Sequence, residues 1–474
     1  MLFSSISFLY YFLPFVLVLY FLVPRRFKNF ILLISSLFFY GWGGVDFLGL
    51  MVVMIGAGYV WGILVERYRD TKNGKWILGT ALGFYVLTLV RFKFDDVFPI
   101  GISFYTFQIM SYLVDVYRGE VPAQRSVVNF AAYASMFPQL VAGPIVRYAD
   151  VAEQLECRKH SFDHAALGIR RFVLGLAKKV LIANTLGELC DIFRASGDKS
   201  VLFYWIYAAA FTLHIYFDFS GYSDMAVGLG KIFGFDFMDN FNYPYVAKSV
   251  TEFWRRWHIS LSQWFRDYVY IPLGGNRVTK GRWFFNIFVV WFLTGFWHGA
   301  AWNFIAWGLG FAVVLVLEKV WILPWLEKGQ TSGGTPASEH GGHAKQPGGS
   351  MQVGFVGILQ HVYVLIIVML SFVMFNARDF GEGLSYIGAM FGAGNLAWTS
   401  AETVYYFRSY LIVFAMAVLG ATPIPKTVVG KIQENRVGKW LVDVLEPLVL
   451  VALLLVVTAY LVDGSFNPFL YFRF

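Results

Sequence analysis

A chain of 474 residues with 58% hydrophobic and only 14% charged residues is no ordinary soluble protein, since soluble domains carry about 25% charge. Aromatics reach 19%, a composition suited to membrane–water interfaces. The net charge of +8 would suggest nucleic acid in a soluble protein, but here it is read as Lys and Arg in cytoplasmic loops. No nucleic-acid partner is expected. Cys157 and Cys190 form no C-x-x-C pair, which excludes a disulfide framework and a zinc site.

The opening MLFSSISFLYYFLPFVLVLYFLVPRR has no basic stretch before its apolar run, so it reads as a retained span and not as a signal peptide. Arg25, Arg26 and Lys28 follow it. The positive-inside rule then puts Met1 outside and Arg25 in the cytoplasm. Tracts of spanning length recur at 2–23, 29–45, 47–65, 76–92, 99–117, 127–146, 199–217, 283–298, 299–317, 352–375, 405–421 and 440–462. A ~30 Å core needs about 20 apolar residues. The expected fold is therefore an all-α polytopic membrane protein of ten to twelve transmembrane helices plus re-entrant and interfacial helices.

Residues 165–185, ALGIRRFVLGLAKKVLIANTL, interleave Arg170, Arg171, Lys178 and Lys179 with apolar residues. That pattern predicts an interfacial helix. LHIYFDFSGYSDMAVGLG, 213–230, sets Asp218, Ser220, Ser223 and Asp224 between apolar flanks. These carboxylates either orient a histidine or satisfy one another and the backbone, and the structural role is favoured.

TEFWRRWHISLSQWFRDYVYIPLGGNR, 251–277, places Phe253, Trp257, Leu261, Trp264, Tyr268 and Ile271 on one helical face. Arg255, His258, Ser262 and Arg266 form a polar stripe on another, and Pro272 with Gly274 and Gly275 ends the helix. Two readings stay open: a basic amphipathic helix at the headgroups, or a helix whose His258 and arginines meet an anionic ligand.

The tract 283–317 carries no charge, yet it holds His298. As one helix it would span roughly 52 Å at 1.5 Å per residue, so it must break. Gly295, Gly299 and Asn303 bracket His298 as the place. A broken helix at membrane depth is tolerated where it is buried in protein or lines a water-filled cavity, so His298 is expected to face a cavity. A hydrogen-bonded structural histidine is the alternative. Residues 329–350, GQTSGGTPASEHGGHAKQPGGS, read as a flexible loop between a 1–328 core and the C-terminal helices of 351–474. His340 and His343 within it are expected to be solvated, and no metal is expected. With no G-x-S-x-G, H-E-x-x-H or Walker A motif, histidine base catalysis is the economical chemistry.

The order FSGYSDMAVGLG, FWRRWHISLSQWFRDYVYIPLGGNR, FWHGAAWNF and FNPFLYFRF resembles the membrane-bound O-acyltransferase family, most closely its bacterial alginate O-acetyltransferase branch. The opening LFSSISFLYYFLPFVLVLY and FPQLVAGPIVR at 137–147 share in it. The resemblance implies a helical funnel with a thin floor in the bacterial inner membrane. It implies catalytic His298 with His258 beside it, and no bound cofactor. Acetyl-CoA is the expected co-substrate, with Arg255, Arg256, Arg266 and Arg277 as its binders and Asp218, Asp224 and Asn303 as polar support. The expected acceptor is an exopolysaccharide or a periplasmic acetyltransferase partner. A D-alanyl transferase of the teichoic-acid type shares both histidines, and a transporter without chemistry is the alternative of a different class.

Overall fold

The computed structural model describes residues 1–95, 99–322 and 355–464. The loop expected at 329–350, with His340 and His343, and the closing FNPFLYFRF lie outside the described residues. All described elements are helical. In chain order the principal ones are α1 (Ser7–Leu22), α2 (Lys28–Gly41), α3 (Asp46–Tyr68), α4 (Gly74–Lys93) and α5 (Ile102–Arg118). Next come α6 (Phe162–Ala177), α7 (Asn184–Ala195), α8 (Val201–Ile232), α9 (Val250–Arg256), α10 (Ile259–Phe265), α11 (Lys280–His298) and α12 (Trp302–Leu317). The last are α13 (Phe355–Asn376), α14 (Ala401–Gly420) and α15 (Arg436–Val462).

Seven described helices are long and apolar enough to cross a membrane: α3, α4, α8, α12 with its extension to Ile322, α13 from Val356, α14 and α15. The other five expected tracts are shorter or less apolar. Four of them became α1, α2, α5 and α11. The fifth, 127–146, is not a span: it divides into Val127–Ser135 and Phe137–Leu140. Met136 turns to an extended ψ of 113° just ahead of Pro138, whose missing N–H and fixed ring favour a helix start over its interior.

The helix α8 is the axis of the molecule. Its 32 residues are almost all buried, and α6, with its continuation Lys178–Ala183, runs along it. Contact is backbone to backbone. A Cβ on Gly228 would stand 2.6 Å from the Gly168 carbonyl, and one on Gly221 would stand 2.7 Å from that of Gly175. Small residues that let backbones approach are how helices associate where no hydrophobic force drives them together.

This packing corrects the interfacial reading of 165–185. Lys179 and Asp218 are 1% and 0% exposed and lie 2.5 Å apart. Lys178 and Arg171 both pair with Asp224, at 2.7 and 2.9 Å. Arg170 reaches Glu446 on α15 at 2.9 Å. The acids that pair with these cations lie about forty residues or more away in sequence, beyond the reach of any local pattern.

Buried apolar side chains form two clusters. One collects α1 to α6 with Leu261, Trp264, Phe265 and Trp297. The other collects α7, the first half of α8, and α13 with Phe253, Trp257, Trp307 and Phe375. Both clusters share α8, and His298 falls on the seam between them, against Trp297 of one and Trp307 and Phe375 of the other, with His258 also beside Trp297.

Candidate active site at the seam of the two clusters

The break expected around His298 is present. The helix α11 ends at His298, Gly299 is extended, and α12 begins at Trp302. The two helices fold back tightly, since a Cβ on Gly308 would meet the Trp291 carbonyl at 2.4 Å and one on Gly295 the Phe304 carbonyl at 2.5 Å. His298 is 6% exposed. Its ring stands edge-on to Trp297, Trp307 and Phe375, with centroids 4.8, 5.2 and 5.1 Å away. Asn303 locks the break from below: its Nδ2 donates to the carbonyls of Ala377 at 2.9 Å and Phe375 at 3.4 Å. Asn303 thus ties α12 to the end of α13 and holds one wall of the histidine pocket.

The tract 251–277 is not the single helix expected. It breaks at His258, whose φ of 43° and ψ of 56° are left-handed. A non-glycine residue held there is strained, and such residues gather at functional sites. The surroundings enforce the strain. Ile259 N–H donates to the Asn240 carbonyl at 2.9 Å, and Asn242 N–H to that of Arg256 at 2.9 Å. Buried Glu318 caps α9, accepting from the N–H groups of Val250 and Thr251 at 2.6 and 2.8 Å. Beyond Phe265 the chain continues as a π-turn, Arg266–Tyr270. The polar stripe of Arg255, His258, Ser262 and Arg266 therefore does not exist as one helical face.

The break has a use. Asn240 Oδ1 accepts from the backbone N–H and hydroxyl of Ser260, at 3.2 and 2.9 Å, and lies 3.2 Å from His258 Nδ1. An amide oxygen only accepts, so Nδ1 carries the proton and the neutral ring keeps a lone pair on Nε2. That Nε2 is buried and has no partner among the described residues. The indole N–H groups of Trp254, Trp297 and Trp307 are buried and without partners too. Trp297 is common to both histidines, 6.0 Å from His258 and 4.8 Å from His298 between ring centroids.

Next to His258 lies a cavity of about 180 Å³ lined by Trp254, Ser262, Arg266, Tyr270, Trp291 and Thr294, among others. Drug-sized ligands need roughly 300 Å³ or more. The space thus suits the end of a thioester and not a nucleotide, and the rest of any such donor would extend outside.

Of the four arginines expected to meet a donor, only Arg266 lines this cavity. Arg256 pairs with Glu252 at 2.8 Å and donates to the Asn242 carbonyl. Arg255 and Arg277 are exposed. Two arginines that sequence reasoning passed over do converge here. Arg147 meets the Asp267 carboxylate at 3.0 Å, and Arg118 donates to the Asp267 carbonyl at 3.0 Å. Arg266 also pairs with Asp267, at 2.6 Å. Two guanidinium groups thus meet the Asp267 carboxylate and a third its backbone carbonyl, next in sequence to the cavity-lining Arg266. Nothing in local spacing could have found them, because α5 and the 141–147 segment bring them from far away. Asp218 and Asp224 take a structural role, but their partners are the cations of the α6 segment and not one another or the backbone.

A multi-pass helical protein with two buried histidines against one tryptophan, beside a narrow cavity, has the makings of a membrane-embedded transferase. The model of the membrane-bound O-acyltransferase family matches residues 87–328. Across 527 aligned residues, covering 100% of both chains, the sequence is 36% identical to the probable alginate O-acetylase of Azotobacter vinelandii. It is 33% identical over 373 residues to the peptidoglycan O-acetyltransferase of Helicobacter pylori, covering 68% of this chain and 71% of that one. To the teichoic acid D-alanyltransferase of Streptococcus thermophilus it is 28% identical over 292 residues, 56% of this chain and 69% of that one. The chain belongs to the membrane-bound O-acyltransferase family and is an O-acyltransferase. A transporter without chemistry is thereby set aside.

Proposed function

We propose that this protein sits in a bacterial inner membrane with its N-terminus outside and transfers acetyl groups from cytoplasmic acetyl-CoA. The acceptor is a hydroxyl of a secreted exopolysaccharide such as alginate or cellulose, or a periplasmic partner that completes the transfer. The observation that carries the reading is the unpaired His258 Nε2 beside a thioester-sized cavity whose mouth is edged by Arg266, with Trp297 linking it to His298. The full-length likeness to a probable alginate O-acetylase favours acetyl over D-alanyl transfer, for which the likeness covers about half of the chain.

In this reading His298 is the base. Its imidazole takes the acceptor hydroxyl proton as the oxygen attacks the acetyl carbonyl. The carbon–sulfur bond then breaks, and the proton passes to the leaving thiolate. The indole N–H of Trp297 stands where it can donate to the thioester carbonyl as charge develops on it, and the lone pair on His258 Nε2 can accept a hydrogen bond from the acceptor hydroxyl beside it. The aromatic wall keeps water from competing as acceptor.

Purified protein in detergent, given acetyl-CoA labelled in the acetyl group and an oligouronate or cello-oligosaccharide, should release free thiol and label the sugar or a co-purified periplasmic acetyltransferase. Turnover with an acetylated carrier protein but none with acetyl-CoA would reject the donor assignment and keep the acyltransferase.

A further inference from the structure

Two short basic runs, PRRFK at 24–28 and CRKH at 157–160, meet at the junction of α1 and α2. Arg158 is 8% exposed. Its Nε donates to Tyr20 Oη at 2.8 Å and to the Phe233 carbonyl at 3.0 Å. Its Nη1 donates to Asn29 Oδ1 at 2.6 Å and to the Gln154 carbonyl at 3.2 Å. All four acceptors are neutral. The Nη2 atom is buried and has no partner among the described residues. The guanidinium face lies over Phe235, 4.5 Å from its centroid, which leaves the edge of the group for a ligand.

Two more cations and a histidine crowd the same place. Arg25 Nη2 donates toward the Arg158 carbonyl at 3.4 Å and Cys157 Sγ at 2.8 Å. Lys28 Nζ lies over the Tyr20 and Phe21 rings at 4.6 and 5.0 Å. His160 Nε2 is 2.9 Å from Tyr20 Oη. The Tyr20 hydroxyl already gives its proton to the Phe233 carbonyl at 2.8 Å. His160 is therefore the donor from Nε2, and its Nδ1 is left open.

None of the described ion pairs includes Arg25, Lys28, Arg158 or His160. Lys231, nearby in the fold, has Asp236 at 2.7 Å. Burial, with Lys28, Arg158 and Arg25 adding to it, pushes the His160 pKa down to about 4, so the ring is neutral near pH 7 and the positive charge here belongs to Arg25, Lys28 and Arg158. A buried charge with neutral partners alone is strongly unfavourable. An anion is the missing member.

We propose that Arg25, Lys28 and Arg158 form a binding site for a phosphate group, separate from the acyl-transfer site, with His160 holding Tyr20 in place beside it. The groups match phosphate chemistry: guanidinium forks and a lysine point charge, aimed at an oxyanion. An anionic phospholipid headgroup and free inorganic phosphate both carry that group. The apolar rim, with Phe21 48% and Phe162 96% exposed, is the kind of surface that acyl chains cover, and basic pockets at the ends of membrane helices hold such headgroups.

The test uses full-length protein in detergent and follows tryptophan-reported thermal unfolding. The additions are phosphatidylglycerol, phosphatidylcholine, and phosphatidylcholine with inorganic phosphate. Phosphatidylglycerol should raise Tm saturably and phosphatidylcholine should not. Arg25→Gln and Lys28→Gln should each weaken the apparent affinity roughly fivefold, whereas Lys426→Gln, at an exposed position elsewhere, should change nothing. If Arg158→Gln fails to accumulate, the two surface variants carry the test alone. Inorganic phosphate reproducing the whole shift supports the site and names the free ion as its source. Equal responses to both lipids with no phosphate effect, or a double variant that responds like the native chain, would overturn the proposal.

Discussion

The α6–α8 pair and the seam around His258 and His298 are both buried and both polar, yet they handle polarity in opposite ways. Along α6, Arg170, Arg171, Lys178 and Lys179 each have a carboxylate. At the seam, an imidazole nitrogen and three indole N–H groups are buried without partners among the described residues. Buried charges are ordinarily paired, and in the first region each has its partner. The second holds no ion pair of its own among the described residues and gathers its unmet donors and lone pair around one tryptophan. Charge alone therefore does not separate a matched interior from a candidate site.

The sharpest test of that contrast is removal of a histidine. His298→Ala should abolish acetylation of the secreted polymer while the protein still accumulates in the membrane. Loss of a positioned base costs about 10²–10⁴-fold, enough to remove detectable turnover. His258→Ala should lower kcat by a smaller but still large factor. Near-normal polymer acetylation in the His298 variant would sink the base assignment.

On the matched side the expected loss is of protein and not of chemistry. Lys179→Met strands the Asp218 carboxylate in a site with no exposure, a change worth about 3–5 kcal/mol. Membrane yield should fall sharply, and adding Asp218→Leu should restore much of it. Activity per folded molecule should hold. A well-expressed but inactive Lys179 variant would erase the distinction between the two regions.

The smallest effect is expected at the cavity mouth. Arg266→Ala should raise KM for the donor a few-fold with kcat nearly unchanged, because such contacts act on ground-state binding. Arg255→Ala and Arg277→Ala, both exposed and outside the cavity lining, should leave KM in place. Donor-concentration kinetics on the three purified variants decide it, and equal shifts in all three would mean a diffuse basic surface.

What the sequence revealed follows physical range. The apolar tracts, the forced break at Gly299 and the isolation of His298 depend on neighbours within one or two helical turns, and all were legible. The left-handed backbone at His258 was not, because it is imposed by Asn240 from eighteen residues upstream. Nor could spacing reveal that Lys179 faces Asp218, or that Arg118 and Arg147 converge on Asp267. Period arguments assign a residue to a face, and only packing says what that face meets.

The Asn303 bridge carries a consequence in time. Residues 298 and 303 leave the ribosome well before 375 and 377, which supply the far wall and the anchoring carbonyls. The match to the family ends at residue 328, so a nascent chain that has completed it still lacks that wall. The Phe355–Asn376 helix thus supplies the Phe375 face of the His298 surroundings only after about three quarters of the chain has been made. With His298 as the base, as proposed above, a chain truncated before residue 355 is expected to be inactive.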